Sequence, residues 1–294
     1  MMIKRLSYQE IDFQKYNHCI ETSVQRNFYA KKDNLDFLSK NWELLIYGDY
    51  EAVMPIPFVK KALIKIVIMP LFCQQLGIFG NSNRETNQEF LNYLKNNYNI
   101  LHYAFNFHNE FETNLNTKKN FVIPVQDYAF LRRKKYFKGR KSTVKTAQYL
   151  EFREVFSSTE ILDFIKNNFK GLEKQSDLDF FMTYLRYLNQ NKQLKMFGSY
   201  FENQLTNITI LIDDENLYSL LGLINNDDMK EHNGASFLID RILEMNIETK
   251  GFNFMGGSIR GIEVFFKSFG SDLQEYQVVQ NSKKDLIKNW LKIS

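Results

Sequence analysis

The 294 residues are nearly balanced in charge, with 38 Lys and Arg against 34 Asp and Glu, so a net +4 does not mark the whole chain as a nucleic-acid binder. Hydrophobic residues make up 44%, and 27 Phe and 16 Tyr stand against 4 Pro and 13 Gly, which excludes a low-complexity chain and is enough for one large or two medium packed domains. Cys19 and Cys73 stand in no metal or redox spacing, the start MMIKRLSYQE lacks a signal-peptide core, and no window approaches the ~18 apolar residues of a membrane span. A cytoplasmic protein with reduced thiols is expected.

In chain order, a helix is predicted over 7–19, followed by a polar segment rich in Asn and Lys. Trp42 to Tyr47 and Tyr50 to Phe58 flank Gly48-Asp49 and read as a β-hairpin. Pro55 and Pro57 alternate, so both missing donors face one side, as suits an edge or bulged strand. Strands are expected over 62–69 and 76–79, a helix over 86–97, and strands over 100–107 and 121–125. His102 and His108 fall on one face of the 100–107 pattern but about 20 Å apart, too far to share a metal. The second half reads as a strand (151–156), helices (159–169 and 178–189), strands (194–201, 206–212 and 216–224), a helix (234–246), a strand (252–255), a helix opened by Ser258, a strand (273–279) and a helix (285–291). Two hairpin blocks, each followed by helices and strands, indicate α+β architecture in two lobes. The expected division is 1–135, a connecting basic helix at 136–150, and 151–294, whose last strand and helix could pack on the first lobe.

Three stretches could carry chemistry. The most informative is Gly251-Phe-Asn-Phe-Met-Gly-Gly-Ser-Ile-Arg-Gly-Ile-Glu-Val-Phe-Phe-Lys-Ser-Phe-Gly270. It reads as a strand end, a flexible Gly256-Gly257 turn, and a helix with Ser258 as N-cap and Gly270 as its stop. Ile259, Ile262, Phe265, Phe266 and Phe269 recur at helical spacing and are expected to be buried, while Arg260, Glu263 and Lys267 share another face. Paired glycines ahead of a helix N-terminus let backbone approach an anion. The same spacing also makes an ordinary solvated Glu263–Lys267 pair. Asn225 to Ser236 is the second stretch, in which Asn233, Gly234, Ala235 and Ser236 open a helix whose amides could hold a phosphate, although Asp227, Asp228 and Glu231 oppose one. Asn233 could equally be a plain cap.

Third is the run Arg132, Arg133, Lys134, Lys135, Lys138, Arg140 and Lys141, interleaved with Tyr136 and Phe137. Such a mixture binds phosphates and stacked bases, or simply makes a solvated helix. The sequence holds no HExxH, nucleophile elbow, Walker loop or cysteine cluster, so no metal site is expected.

The 251–270 stretch resembles the C-terminal signature of the FemAB-like branch of the GNAT acyltransferase superfamily. Met69-Pro-Leu-Phe-Cys-Gln-Gln-Leu-Gly-Ile-Phe-Gly80 is similar to a strand of an uncharacterised bacterial subset of that branch, and the basic run to the helix joining the family's halves. The resemblance implies tandem GNAT-like lobes with mixed, mostly antiparallel sheets flanked by helices. It implies transfer of an acyl or aminoacyl group, from acyl-CoA or aminoacyl-tRNA, to a small-molecule amine, with no tightly bound cofactor. Lys267, after Phe266, would stabilise charge at the reacting ester. Glu263 is then the base candidate, and Arg260 with Gly256, Gly257 and Ser258 forms the substrate contact. The family's usual Arg/Gln-x-x-Gly-x-Gly/Ala loop has Glu231 in its basic position and Ser236 in its small one. A binding protein that keeps the fold without catalysis, and an RNA-binding module using the basic run, are the alternatives.

Overall fold

The computed structural model describes residues 3–61, 64–282 and 284–286. The chain divides into two compact units: Met1–Lys119 with Glu275–Ser294, and Asn120–Gln274. The boundary thus falls after Lys119, where the sequence placed it at 135, and the basic run belongs to the second unit.

The first unit begins with β1 (Lys4–Leu6) and a 3-10 turn at Tyr8–Glu10, then α1 (Phe13–Thr22) and α2 (Lys32–Leu38). Next come β2 (Trp42–Tyr47), β3 (Ala52–Lys61), β4 (Ile64–Ile68), β5 (Phe79–Gly80), α3 (Arg84–Asn97), β6 (Asn99–Ala104) and β7 (Asn116–Ile123). The predicted 7–19 helix is corrected here. Ser7 spends its N–H and hydroxyl on Glu10 and closes only the 3-10 turn. Asp12 caps α1 instead, its Oδ1 accepting the N–H of Gln14 at 3.0 Å and of Lys15 at 3.1 Å. The hairpin forms as read. Pro55 and Pro57 oppose Leu44 and Trp42 on the β2 side, and the ladder to β4 starts only at Phe58, so neither proline interrupts a second ladder. β3 is therefore an inner strand whose prolines occupy a gap in pairing, not an edge. Of the predicted 76–79 strand only Phe79 is in β5. β1, β2, β3 and β4 pair antiparallel, and β4 and β6 pair parallel. Tyr16, Leu44, Phe79, Phe90, Tyr103 and Phe105 are fully buried between these strands and helices. The two hydroxyls find carbonyls, Tyr16 donating to Ala30 at 2.6 Å and Tyr103 to Pro55 at 2.9 Å.

The second unit takes the end of β7, then α4 (Tyr128–Phe130) running on as a π-helical turn over Leu131–Lys135, and α5 (Lys138–Thr146). β8 (Glu151–Glu154), α6 (Thr159–Asn168), α7 (Gln175–Gln190), β9 (Leu194–Phe201), β10 (Gln204–Asp214), β11 (Leu217–Asn225), a 3-10 helix (Asp227–His232), α8 (Gly234–Asn246), β12 (Gly251–Asn253) and α9 (Arg260–Lys267) follow. β13 (Asp272–Gln280) starts in this unit and ends in the first, where Val278–Gln280 pair antiparallel with Ala104–His102 of β6. In the second unit β8, β9, β10 and β11 form an antiparallel run, β11 and β12 pair parallel, and β12 pairs antiparallel with β7. The core gathers Phe121, Ile123, Leu211, Leu238, Phe252, Phe254, Phe266 and Phe269. The basic run is not one helix: Tyr136 and Phe137 adopt extended backbone, and Tyr136 is buried against Phe269. The predicted final helix at 285–291 lies mostly outside the described residues.

Candidate functional site

In the second unit the sheet opens between β11 and β12. β11 and β12 pair for three residues, Leu217–Gly251 to Ser219–Asn253. β11 then continues to Asn225, while the partner turns away at Phe254, whose N–H goes to the Phe121 carbonyl at 2.9 Å. A splayed parallel pair leaves strand backbone beside a gap, a setting in which main-chain groups can bind an extended ligand.

The turn leaving this gap is held in place, not flexible. Asn253 Oδ1 accepts the N–H of Met255 at 2.8 Å. Fully buried Asn120 accepts the N–H of Gly256 at 3.0 Å and donates to Gln274 Oε1 at 3.1 Å. Met255, Gly256 and Gly257 all have positive φ, at 55°, 149° and 137°. At Gly257 a Cβ would enter the Phe121 ring, whereas at Gly256 and at Gly261 it would meet nothing within 4 Å. Gly257 is thus a packing glycine, and Gly256 and Gly261 border empty space.

Helix α9 begins one residue later than predicted. Ile259 is its N-cap without a side-chain bond, and Ser258 caps nothing. Only part of the predicted apolar face is buried. Phe266 stacks on Phe254 at 4.4 Å and belongs to the core, as does Phe269, but Ile259 is 66% and Ile262 42% exposed. Phe266, expected from the sequence to contact substrate, is thus a core residue that anchors the helix. Lys267 Nζ donates to Glu263 Oε1 and lies 5.6 Å from the centroid of the Phe121 ring. The ion pair expected from the spacing thus forms directly in front of the Gly256–Gly257 turn's own packing partner. Arg260 is exposed at the head of the helix.

At α8, Gly234 is buried over Ser199, Thr206 and Asn207, with no room for a side chain. Asn233 takes a left-handed conformation, φ 57°, without capping by its side chain, which donates to the Glu231 carbonyl at 2.9 Å. Ala235 is half-buried, and buried Ser236 accepts from Arg140 Nη1. The acidity of the preceding segment is offset, since Lys170 and Lys230 both pair with Asp227.

Arg140 was grouped with phosphate binders by sequence, and its guanidinium is not free. Nε donates to Ser268 Oγ at 2.8 Å, and Cζ lies 4.5 Å from the centroid of the Phe265 ring and 4.6 Å from that of Phe269. Burial pulls its pKa below the ordinary arginine value. It joins α5 to the head of α8 and the end of α9. Lys135 pairs with Asp272 at 3.6 Å, Lys141 donates to the Arg133 carbonyl at 2.6 Å, and Arg132 faces the buried Asp240 electrostatically. Arg133 and Lys134 on the π-helical turn and Lys138 at the start of α5 remain exposed, separated by the extended Tyr136–Phe137 link, so the run is not one continuous helical stripe.

Sequence reasoning missed Asn120 and His232. His232 stacks on Phe201 at 4.3 Å, and its Nδ1 lies 2.7 Å from the Tyr149 hydroxyl. Neither position carries a local signal, because its partners are distant in sequence.

No family model and no curated protein matches the sequence. Solved structures do match in shape. FemX aligns over 98% of this chain and 99% of its own, with 10% identity and a TM-score of 0.63. A tandem GNAT protein from the clavulanic acid biosynthesis pathway aligns over 94% and 97%, with 7% identity and a TM-score of 0.55. L-PGS from Bacillus licheniformis aligns over 96% and 95%, with 12% identity and a TM-score of 0.53. The chain has the α+β fold of tandem GNAT, FemAB-like acyltransferases.

Proposed function

We propose that the second unit transfers an acyl or aminoacyl group from an activated donor to an amine, at the opening between β11 and the Gly256–Gly257 turn. The carrying observation is that a splayed parallel strand pair leads through a rigid two-glycine turn, bordered by empty space, into a helix presenting Arg260 and Lys267. The solved structures of like fold, among them FemX and L-PGS, support an acyl or aminoacyl donor in general terms.

Lys267 is the cation for the oxyanion that develops when the amine attacks the acyl carbonyl. A donor aimed at such an oxyanion lowers the barrier by about 3 kcal/mol. Glu263 holds the Lys267 ammonium and is a positioning residue in this reading, since its carboxylate is already engaged. Arg260 binds an anionic part of the donor by paired N–H groups. The dipole at the head of α8, with Arg140 beside it, adds positive potential for a donor phosphate. That potential takes the place of the basic residue missing at Glu231. Most of the rate then comes from positioning and charge stabilisation.

The test is transfer of labelled acetyl from acetyl-CoA, and of labelled aminoacyl from charged transfer RNA, to a panel of small amines. Turnover with one donor that is lost in Lys267→Met supports the reading. Turnover with neither, or turnover indifferent to Lys267, removes it and leaves a non-catalytic binding protein on this fold.

A further inference from the structure

We propose that Lys118, paired with His102, is an acyl-accepting amine in the first unit, modified by small activated acyl donors in preference to the other lysines. Lys118 on β7 reaches His102 on β6, with Nζ 3.0 Å from Nε2. An ammonium has no lone pair, so it donates, and the ring carries its own proton on Nδ1. This differs from the lysines that are held by carboxylates: Lys15 by Asp49, Lys32 by Asp36, Lys65 by Glu43 and Lys195 by Glu154. Among the described residues no carboxylate lies within ion-pair distance of Lys118. A carboxylate fixes the charged, unreactive form of a lysine, and a neutral imidazole does so far less.

Burial adds to this. It lowers the Lys118 pKa below the ordinary lysine value, because a half-buried ammonium is poorly hydrated. His102 is lowered to about 4, first by burial and then by the Lys118 charge. The second cause vanishes once Lys118 is neutral, so the ring becomes more basic when a proton must be taken. The side chain is also only partly covered, so a small reagent can reach it.

With a thioester as donor, the neutral Lys118 nitrogen bonds to the acyl carbon and the carbon–sulfur bond breaks. The proton displaced from nitrogen passes to His102 Nε2 and then to the departing thiolate. The products are an amide on Lys118, a free thiol and a neutral His102. This chemistry uses nothing from α9, so it stands or falls separately from transfer at that helix.

The experiment treats the full chain with S-acetyl-N-acetylcysteamine at neutral pH and follows each lysine by peptide mass spectrometry. Lys118 is expected to be acetylated roughly tenfold faster than the median of the other lysines. His102→Gln keeps a hydrogen-bond acceptor but cannot take a proton, and is expected to bring Lys118 close to that median. Labelling of Lys118 at the median rate in the unaltered chain overturns the proposal, whether or not the variant folds. A rate unchanged in folded His102→Gln overturns the role of His102 as proton acceptor.

Discussion

Helices α8 and α9 both start from a glycine-containing segment in the same unit, and the two starts are built for opposite purposes. Gly234 at α8 is sealed by Asn207, Ser199 and Thr206, so its missing side chain is a packing requirement. Gly256 and Gly261 around the α9 start border empty space, so theirs leaves room. Glycine before a helix is therefore no evidence of a ligand until the neighbourhood of its missing Cβ is known. Arg140 links the start of α8 to the far end of α9, bonding Ser236 on one side and Ser268 on the other.

Substitutions can break this contrast at each point. The largest expected effect is on chemistry. Lys267→Met should reduce transfer by about 10²–10³-fold, read as kcat/KM, while leaving stability within about 0.5 kcal/mol because its partly exposed pair with Glu263 contributes little. A matched loss of activity and stability would mean that Lys267 is structural. Gly234→Ala should destabilise by about 3 kcal/mol in urea melts, since the new methyl has no space among buried polar groups. Wild-type stability in that variant would show the α8 start to be as open as the α9 start. Arg140→Met should lower stability by about 2 kcal/mol through two lost charge-assisted bonds and two ring contacts. The smallest effect sharpens the comparison most. Gly261→Ala should raise stability by about 0.5–1 kcal/mol, as alanine favours a helix and the methyl meets no neighbour, yet it should weaken donor binding by filling the gap.

How far the sequence revealed this molecule depended on how local each cause is. The α8 helix was bounded correctly because Leu238, Ile239 and Ile242 set a helical period after Gly234, and the β2–β3 hairpin because apolar runs flank Gly48-Asp49. The start of α1 was misplaced because Ser7 and Glu10 form a capping pair that closes a turn, while the true cap, Asp12, follows it. Ile259 and Ile262 fit the buried period but are exposed, since α9 is short and only Phe265, Phe266 and Phe269 reach the core. At the site, the spacing of Glu263 and Lys267 was enough to foresee their pairing. The burial of Arg140 between two Phe rings, and the hold of Asn120 on Gly256, were illegible because they join residues more than a hundred positions apart.

The central claim, that the gap at the α9 start receives the donor, is tested most directly by calorimetric titration of the full chain and of Gly261→Ala. Acetyl-CoA, charged transfer RNA and uncharged transfer RNA are titrated in parallel at moderate salt. The account predicts saturable binding of acetyl-CoA, or a clear preference for charged over uncharged transfer RNA, weakened in Gly261→Ala although that variant melts higher. Binding of neither donor, or equal binding by both proteins, would contradict it.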